Sequence, residues 1–196
     1  FMAGGALAVW PKPEQRQVWN TLGGVVIVLL LIGAGYAMWG IPHGTVKDVS
    51  GRPLVGQTAP DPRLTLLDGS TLSGADLAAG NITLLNFWAT WCPTCEEELP
   101  MLESAWQEYQ DRGVRFVGVV YQSELPDTQA SIETYGLTFP SGLDSGDRAA
   151  SAYGITGVPE TFIIDGQGTI AYIHIGGVTS EQVAAELEAL LAKETP

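Results

Sequence analysis

Positive charge is scarce in this 196-residue chain: nine Lys and Arg stand against 22 Asp and Glu, a net charge of −13. Phosphate backbones are held by clustered Lys and Arg, so the deficit argues against nucleic acid as a partner. Cysteine is scarcer still. Cys92 and Cys95 alone cannot build the multi-bridge framework of a small secreted domain. The two histidines, His43 and His174, add too little for a tetrahedral zinc site, so no metal is expected. Charged residues amount to 16% against 45% hydrophobic, too apolar a balance for a disordered chain.

Charge is also missing from one place. No Asp, Glu, Lys or Arg occurs over 17–46, and within that gap residues 21–40 read TLGGVVIVLLLIGAGYAMWG. A helix of that length spans about 30 Å, the thickness of a bilayer's hydrocarbon core. Trp10 and Trp19 precede it and Tyr36 and Trp39 close it, as aromatic interface anchors do. A cleaved signal peptide competes with this reading, because Gly35-Tyr36-Ala37 has a small-x-small form, but some twenty residues precede the run. A permanent anchor is expected. Lys12 and Arg16, just before the span, predict an inside N-terminus. The organisation expected is a cytoplasmic tail (1–18), a transmembrane helix (19–41), a linker rich in Gly and Pro (42–56) and a single domain (57–196) on the outer side of a cytoplasmic membrane.

Element signals in that domain are readable. Runs 64–67 and 71–72 flank Asp68-Gly69, a hairpin signal, and ITLLNFW over 82–88 suits a buried central strand. A helix follows over about 93–112, with Leu99, Leu102, Trp106 and Tyr109 on one side and Gly113 as its stop. Strand 114–121, a helix through 130–135 and a hairpin of 161–165 with 169–175 come next. Thr179-x-x-Gln182 makes a capping box before a last helix whose Val183, Leu187, Leu190 and Leu191 share an apolar face. This order describes an α/β sandwich.

The chemistry sits at Trp91-Cys92-Pro93-Thr94-Cys95. A Cys-x-x-Cys at a strand-to-helix junction sets the first sulfur over unpaired backbone N–H groups, which favour its thiolate. Pro93 suits the first helical turn, where its missing N–H costs nothing. The second sulfur can attack a mixed disulfide formed by the first, the minimum apparatus of thiol–disulfide exchange. An inert stabilising disulfide closes too small a loop to matter much. A peroxidase would usually want Thr three residues before its Cys, whereas Thr90 is two before Cys92. Glu98, one turn beyond Cys95, would be half-buried near both sulfurs, disfavouring a second negative charge and able to shuttle a proton. Its neighbours Glu96 and Glu97 read as a solvated face, and Asn86 as a satisfied core amide. No His lies between the cysteines to stabilise the thiolate, which favours a reductant over an oxidant.

The segment NFWATWCPTC over 86–95 resembles the active site of thioredoxin-like proteins. Pro100, five residues after Cys95, is similar to the helix-kinking proline of that fold, and Gly157-Val158-Pro159 to its cis-proline loop. Asn86, Glu98 and Pro100 resemble the membrane-anchored TlpA, ResA and CcmG (DsbE) branch, whose insertion between a strand and a helix fits 123–135. Pro-Thr between the cysteines and Val158-Pro159-Glu160-Thr161 look most like CcmG.

The resemblance implies a thioredoxin-like α/β sandwich, a central mixed sheet flanked by helices, preceded by one transmembrane helix. It implies Cys92 as attacking and Cys95 as resolving thiol, with their redox-active disulfide in place of any cofactor. Pro159, if cis, would face the cysteines and let Val158 offer backbone hydrogen bonds to a substrate strand. Glu160 would orient substrate or stand as an exposed loop acid, and Trp91 would flank the substrate or simply pack. It implies a disulfide-bearing exported substrate, apocytochrome c, and a membrane electron donor of the CcdA/DsbD kind. Three alternatives remain: a TlpA-like reductase serving copper-site assembly or other exported thiols, a disulfide oxidant, and an accessory subunit of a respiratory or photosynthetic membrane complex. Gly23, Gly24, Gly33, Ala34 and Gly35 would permit the close helix contact that the last requires.

Overall fold

Beyond the apolar run the chain alternates short buried strands with amphipathic helices, and this alternation dictates a layered sheet. The computed structural model describes residues 52–53 and 55–194. The expected tail 1–18, the transmembrane helix 19–41 and residues 42–51 and 54 of the linker 42–56 lie outside the described residues. Among the described residues no helix is long and apolar enough to cross a membrane.

Strands β1 (Leu64–Thr65) and β2 (Thr71–Leu72) form a small antiparallel hairpin over Asp68-Gly69, where Asp68 accepts the Ser70 N–H at 2.8 Å. A single turn, α1 (Gly74–Leu77), follows, with Asp76 accepting the Ser73 N–H at 2.8 Å. Then come β3 (Ile82–Trp88), α2 (Pro93–Tyr109) and β4 (Val114–Val120). The helix expected over 93–112 ends in a tighter 3-10 turn at Gln110–Arg112, and Gly113 reverses the chain at φ 81°, in the left-handed region that glycine enters without steric cost.

Next are α3 (Leu125–Tyr135), β5 (Ser141–Leu143), α4 (Arg148–Tyr153), β6 (Glu160–Ile164), β7 (Ile170–Ile175) and α5 (Ser180–Glu194). Five strands make one mixed sheet in the order β5-β4-β3-β6-β7, parallel across β5-β4-β3 and antiparallel across β3-β6-β7. The expected central strand is central. Its seven residues are all buried because both faces of the sheet are covered.

Side-chain alternation along β3 sorts the core into two layers. Ile82, Leu84 and Trp88 pack with Leu99, Leu102 and Tyr109 of α2 and Val183, Leu187 and Leu190 of α5. Leu85 and Phe87 face the other way, against Leu64 and Leu72 of the hairpin and Ala149, Ala150 and Tyr153 of α4. Each fully buried Leu or Phe contributes about 1.5–3 kcal/mol. Asn86 has the parity of Leu84 and Trp88, so its amide points at α2. The expected capping box of α5 forms, with Gln182 Oε1 accepting the Thr179 N–H at 3.0 Å and Thr179 Oγ1 accepting the Gln182 N–H at 3.3 Å.

Three elements went unread in the sequence. α1 is four residues of Gly-Ala-Asp-Leu, β5 three residues of Ser-Gly-Leu and α4 six residues of RAASAY, all too short to show a period. The segment ahead of the sheet is also more attached than its composition suggests. Arg52 and Pro53 are buried, Gly56 N–H donates to Ile170 O at 2.8 Å, and Ile170 N–H donates to Gln57 O at 2.9 Å.

Candidate active site

The C-terminal end of β3 releases Ala89-Thr90-Trp91 and delivers Cys92 to the N-cap of α2, with Pro93 in the first turn. At φ −105° and ψ 104° Cys92 is extended, which turns its side chain onto the helix's free donors. The Cys95 N–H donates to Cys92 Sγ at 3.1 Å. The helix therefore stabilises negative charge at the first sulfur, as the spacing implied. Cys92 and Cys95 are joined as a disulfide, their Cα atoms 5.3 Å apart. Cys92 is 4% exposed and Cys95 is fully buried, so an incoming reactant meets Cys92 first.

Three loops converge on this helix end. The first lies between α4 and β6, where Val158–Pro159 is a cis peptide. Val158 O lies 3.5 Å from Cys92 Sγ, and Pro159 O accepts the Gly176 N–H at 2.9 Å. The second follows β4: Ser123 Oγ accepts the Thr90 N–H at 3.1 Å, and Gln122 O accepts from Trp91 Nε1 at 3.0 Å. Trp91 is not core packing; it is 56% exposed, its indole fixed at one edge by that bond. The third loop joins β7 to α5, and Val178 N–H donates to Glu98 Oε2 at 3.0 Å.

Glu98 is buried rather than half-buried, at 5% exposure. Its Oε1 accepts from Asn86 Nδ2 at 2.9 Å. Burial pushes its carboxyl pKa upward, and the Val178 N–H and the Asn86 amide oppose that rise without cancelling it. The carboxylate sits on the face of α2 that carries Cys95, a turn away. Glu97 is exposed and Glu96 partly so, as a solvated face requires. Asn86 is less satisfied than expected. Its nitrogen serves both Glu98 and Thr161 Oγ1, at 2.9 and 3.0 Å, while its Oδ1 has no partner among the described residues.

Glu160 corrects the reading as an exposed loop acid. It is 1% exposed and opens β6, ion-paired with Arg52, and its Oε1 accepts the Thr156 N–H at 3.3 Å. The strand after Pro159 turns this side chain inward, where an unpaired charge would be prohibitive. Arg52, Gln122, Ser123, Thr156 and Val178 were not singled out in the sequence, whereas Thr161 belonged to the Val158–Thr161 motif without a role of its own. Each of the five reaches the site through a loop or segment that no local pattern marks.

A dithiol on a helix N-terminus, a backbone carbonyl beside the outer sulfur and a buried carboxylate behind the inner one are the parts of a two-electron exchange of thiols for a disulfide. Similarities to known proteins agree with this chemistry. The model of the AhpC/TSA family matches residues 55–173. The thiol-disulfide oxidoreductase ResA of Geobacillus thermodenitrificans is 35% identical over 179 residues, covering 91% of this chain and 98% of that protein. A thiol:disulfide interchange protein of the thioredoxin family from Chlorobium tepidum superposes with a TM-score of 0.63 at 27% identity, over 70% of this chain and 98% of that one. A secreted Mycobacterium tuberculosis disulfide oxidoreductase homologous to DsbE of E. coli gives a TM-score of 0.58 at 25% identity, over 65% and 94% of the two chains.

Proposed function

The chain belongs to the AhpC/TSA family and is a thioredoxin-like thiol–disulfide oxidoreductase of the ResA/DsbE type, and from that premise we propose that it is a membrane-anchored reductant of exported proteins. The apolar run 21–40 holds it in the cytoplasmic membrane with its N-terminus inside and the dithiol domain outside. Its substrate is a disulfide in an exported protein, apocytochrome c, whose haem-binding thiols must stay free. A membrane donor of the CcdA/DsbD kind returns it to the dithiol state.

The observation that carries the reductive direction is the buried Glu98 behind a dithiol with no intervening His. A disulfide becomes a strong oxidant when its reduced form is stabilised as thiolate. An adjacent carboxylate in a low-dielectric site works against that thiolate and so favours a reductant. In the cycle, the Cys92 thiolate attacks one substrate sulfur and displaces the other as a thiolate, which takes up a proton. Deprotonated Cys95 then attacks Cys92 Sγ, closing the Cys92–Cys95 disulfide and releasing the second substrate thiol. Glu98, one turn from Cys95, accepts the proton Cys95 loses and gives it up to the departing substrate sulfur, directly or through solvent, so that two electrons and two protons in all pass to the substrate. The exposed Trp91 and the Val158 carbonyl flank Cys92, where an extended substrate segment can pair with backbone.

Trapping tests this reading. Cys95→Ser lets the mixed disulfide on Cys92 accumulate, and the proteins held there are identified after reduction. Exported proteins carrying a haem-binding Cys-x-x-Cys-His are expected; a trapped set without them would remove apocytochrome c as the substrate.

A further inference from the structure

Glu160 follows Pro159 directly, at the edge of the loop that faces Cys92, yet it is among the least exposed residues of the domain. A carboxylate buried there requires partners, and the fold provides them from two directions. Its Oε2 is ion-paired with Arg52 Nη2. Its Oε1 accepts the N–H of Thr156, at the far end of the loop, at 3.3 Å. Its backbone is fixed between Phe87 of β3 and Ile175 of β7. The carboxylate thus ties both ends of the loop 156–159 to one point beneath it.

Arg52 is itself seated. Its guanidinium carbon lies 5.7 Å from the centre of the Phe162 ring. Its backbone crosses Gly154, whose φ is +66° and where a Cβ would come within 3.0 Å of the Arg52 Cα. Only glycine combines that conformation with that approach. A residue from the segment read as linker is therefore built into the underside of the active-site loop.

We propose that the Arg52–Glu160 pair is a positioning device for thiol–disulfide exchange, holding the loop 156–159 where the Val158 backbone can pair with a substrate strand beside Cys92. Neither side chain touches the reacting sulfurs; both act through the loop. The inference rests on the oxidoreductase activity and is independent of which exported protein is the substrate. It also means that a domain cut at residue 57, where the composition puts its start, loses part of its site.

The test uses the full-length chain in detergent: wild type, Arg52→Met, Arg52→Lys and Glu160→Gln. Steady-state reduction of a disulfide-bonded peptide is compared with iodoacetamide alkylation of reduced Cys92, which needs no strand pairing. Arg52→Met is expected to raise KM for the peptide about tenfold while kcat stays within about threefold, the signature of lost binding rather than lost chemistry. Its alkylation rate should match wild type, and Arg52→Lys, which keeps the cation, should recover most of the loss. An Arg52→Met protein that is folded, less stable and unchanged in KM would overturn the proposal by making the pair merely structural. Should Arg52→Met not fold, Glu160→Gln keeps an amide oxygen for Thr156 and removes only the charge: a raised KM supports the proposal and an unchanged one overturns it. A wild-type protein inert toward the peptide would instead refute the oxidoreductase reading on which the inference stands.

Discussion

Replacing Glu98 by Gln removes one buried negative charge and keeps the side chain's shape. Glu98 lies six residues beyond Cys92 on the same helix, and a rise of about 1.5 Å per residue separates them by about 9 Å along its axis. At an effective dielectric of about 20, two like charges at that distance repel by about 1.8 kcal/mol, equivalent to about 1.4 pH units in the thiol's titration. Water at the exposed side of Cys92 trims this, so the apparent pKa of reduced Cys92 should fall by about one pH unit in Glu98→Gln. Glu97, which is exposed, supplies the control. At the dielectric of water its repulsion is only about 0.5 kcal/mol before salt screening, and Glu97→Gln should move the thiol by a few tenths of a pH unit at most. The two titrations are coupled, so the quantity read is the apparent value of the pair. The assay is the pH dependence of Cys92 alkylation in the reduced wild type and both variants, with stopped-flow reduction of a disulfide peptide alongside. Glu98→Gln should show more thiolate yet slower closure of the Cys92–Cys95 bond, because the group that accepts the Cys95 proton is gone. Superimposable alkylation curves for the two variants would return Glu98 to a purely structural role.

Two further outcomes follow from packing and charge. Because burial raises the Glu98 carboxyl above its ordinary 4.5, the native state binds its proton more tightly than the unfolded chain does. Stability is therefore lost as pH climbs from the unfolded value through the folded one, and the penalty is constant above that. Oxidised Glu98→Gln, compared with oxidised wild type by urea unfolding, should gain relative stability between about pH 4 and pH 8, a window that crosses the carboxylate range; a difference independent of pH would refute this. Gly118 sits in β4 where a Cβ would lie 2.5 Å from Ser141 Oγ and 2.8 Å from Trp88 Nε1. Gly118→Ala should cost about 1–3 kcal/mol through overpacking between β4, β5 and Trp88, measured by the same unfolding; a change under about 0.5 kcal/mol, the scale of a neutral surface substitution, would mean that the edge of the sheet yields.

What the sequence determined by itself was whatever depends on neighbours along the chain. The seven apolar residues of β3, the Cys92-Pro93 helix start, the Gly113 stop and the Thr179/Gln182 capping box are local features, and each formed where its residues place it. The dithiol chemistry was legible for the same reason, because the i, i+3 spacing of Cys92 and Cys95 brings the sulfurs together on one helical turn whatever the rest of the fold does. The tertiary structure alone decided how that chemistry is surrounded. Helical spacing from Cys95 set Glu98 apart from Glu96 and Glu97, but its full burial depends on distant surfaces, because β3 offers Asn86 and the loop before α5 offers Val178. Glu160 looks like a loop acid until Arg52, more than a hundred residues earlier, meets it beneath the loop. Burial and charge pairing are set by which distant surfaces the sheet order brings into contact, and that order is a property of the whole packed domain rather than of any stretch of residues.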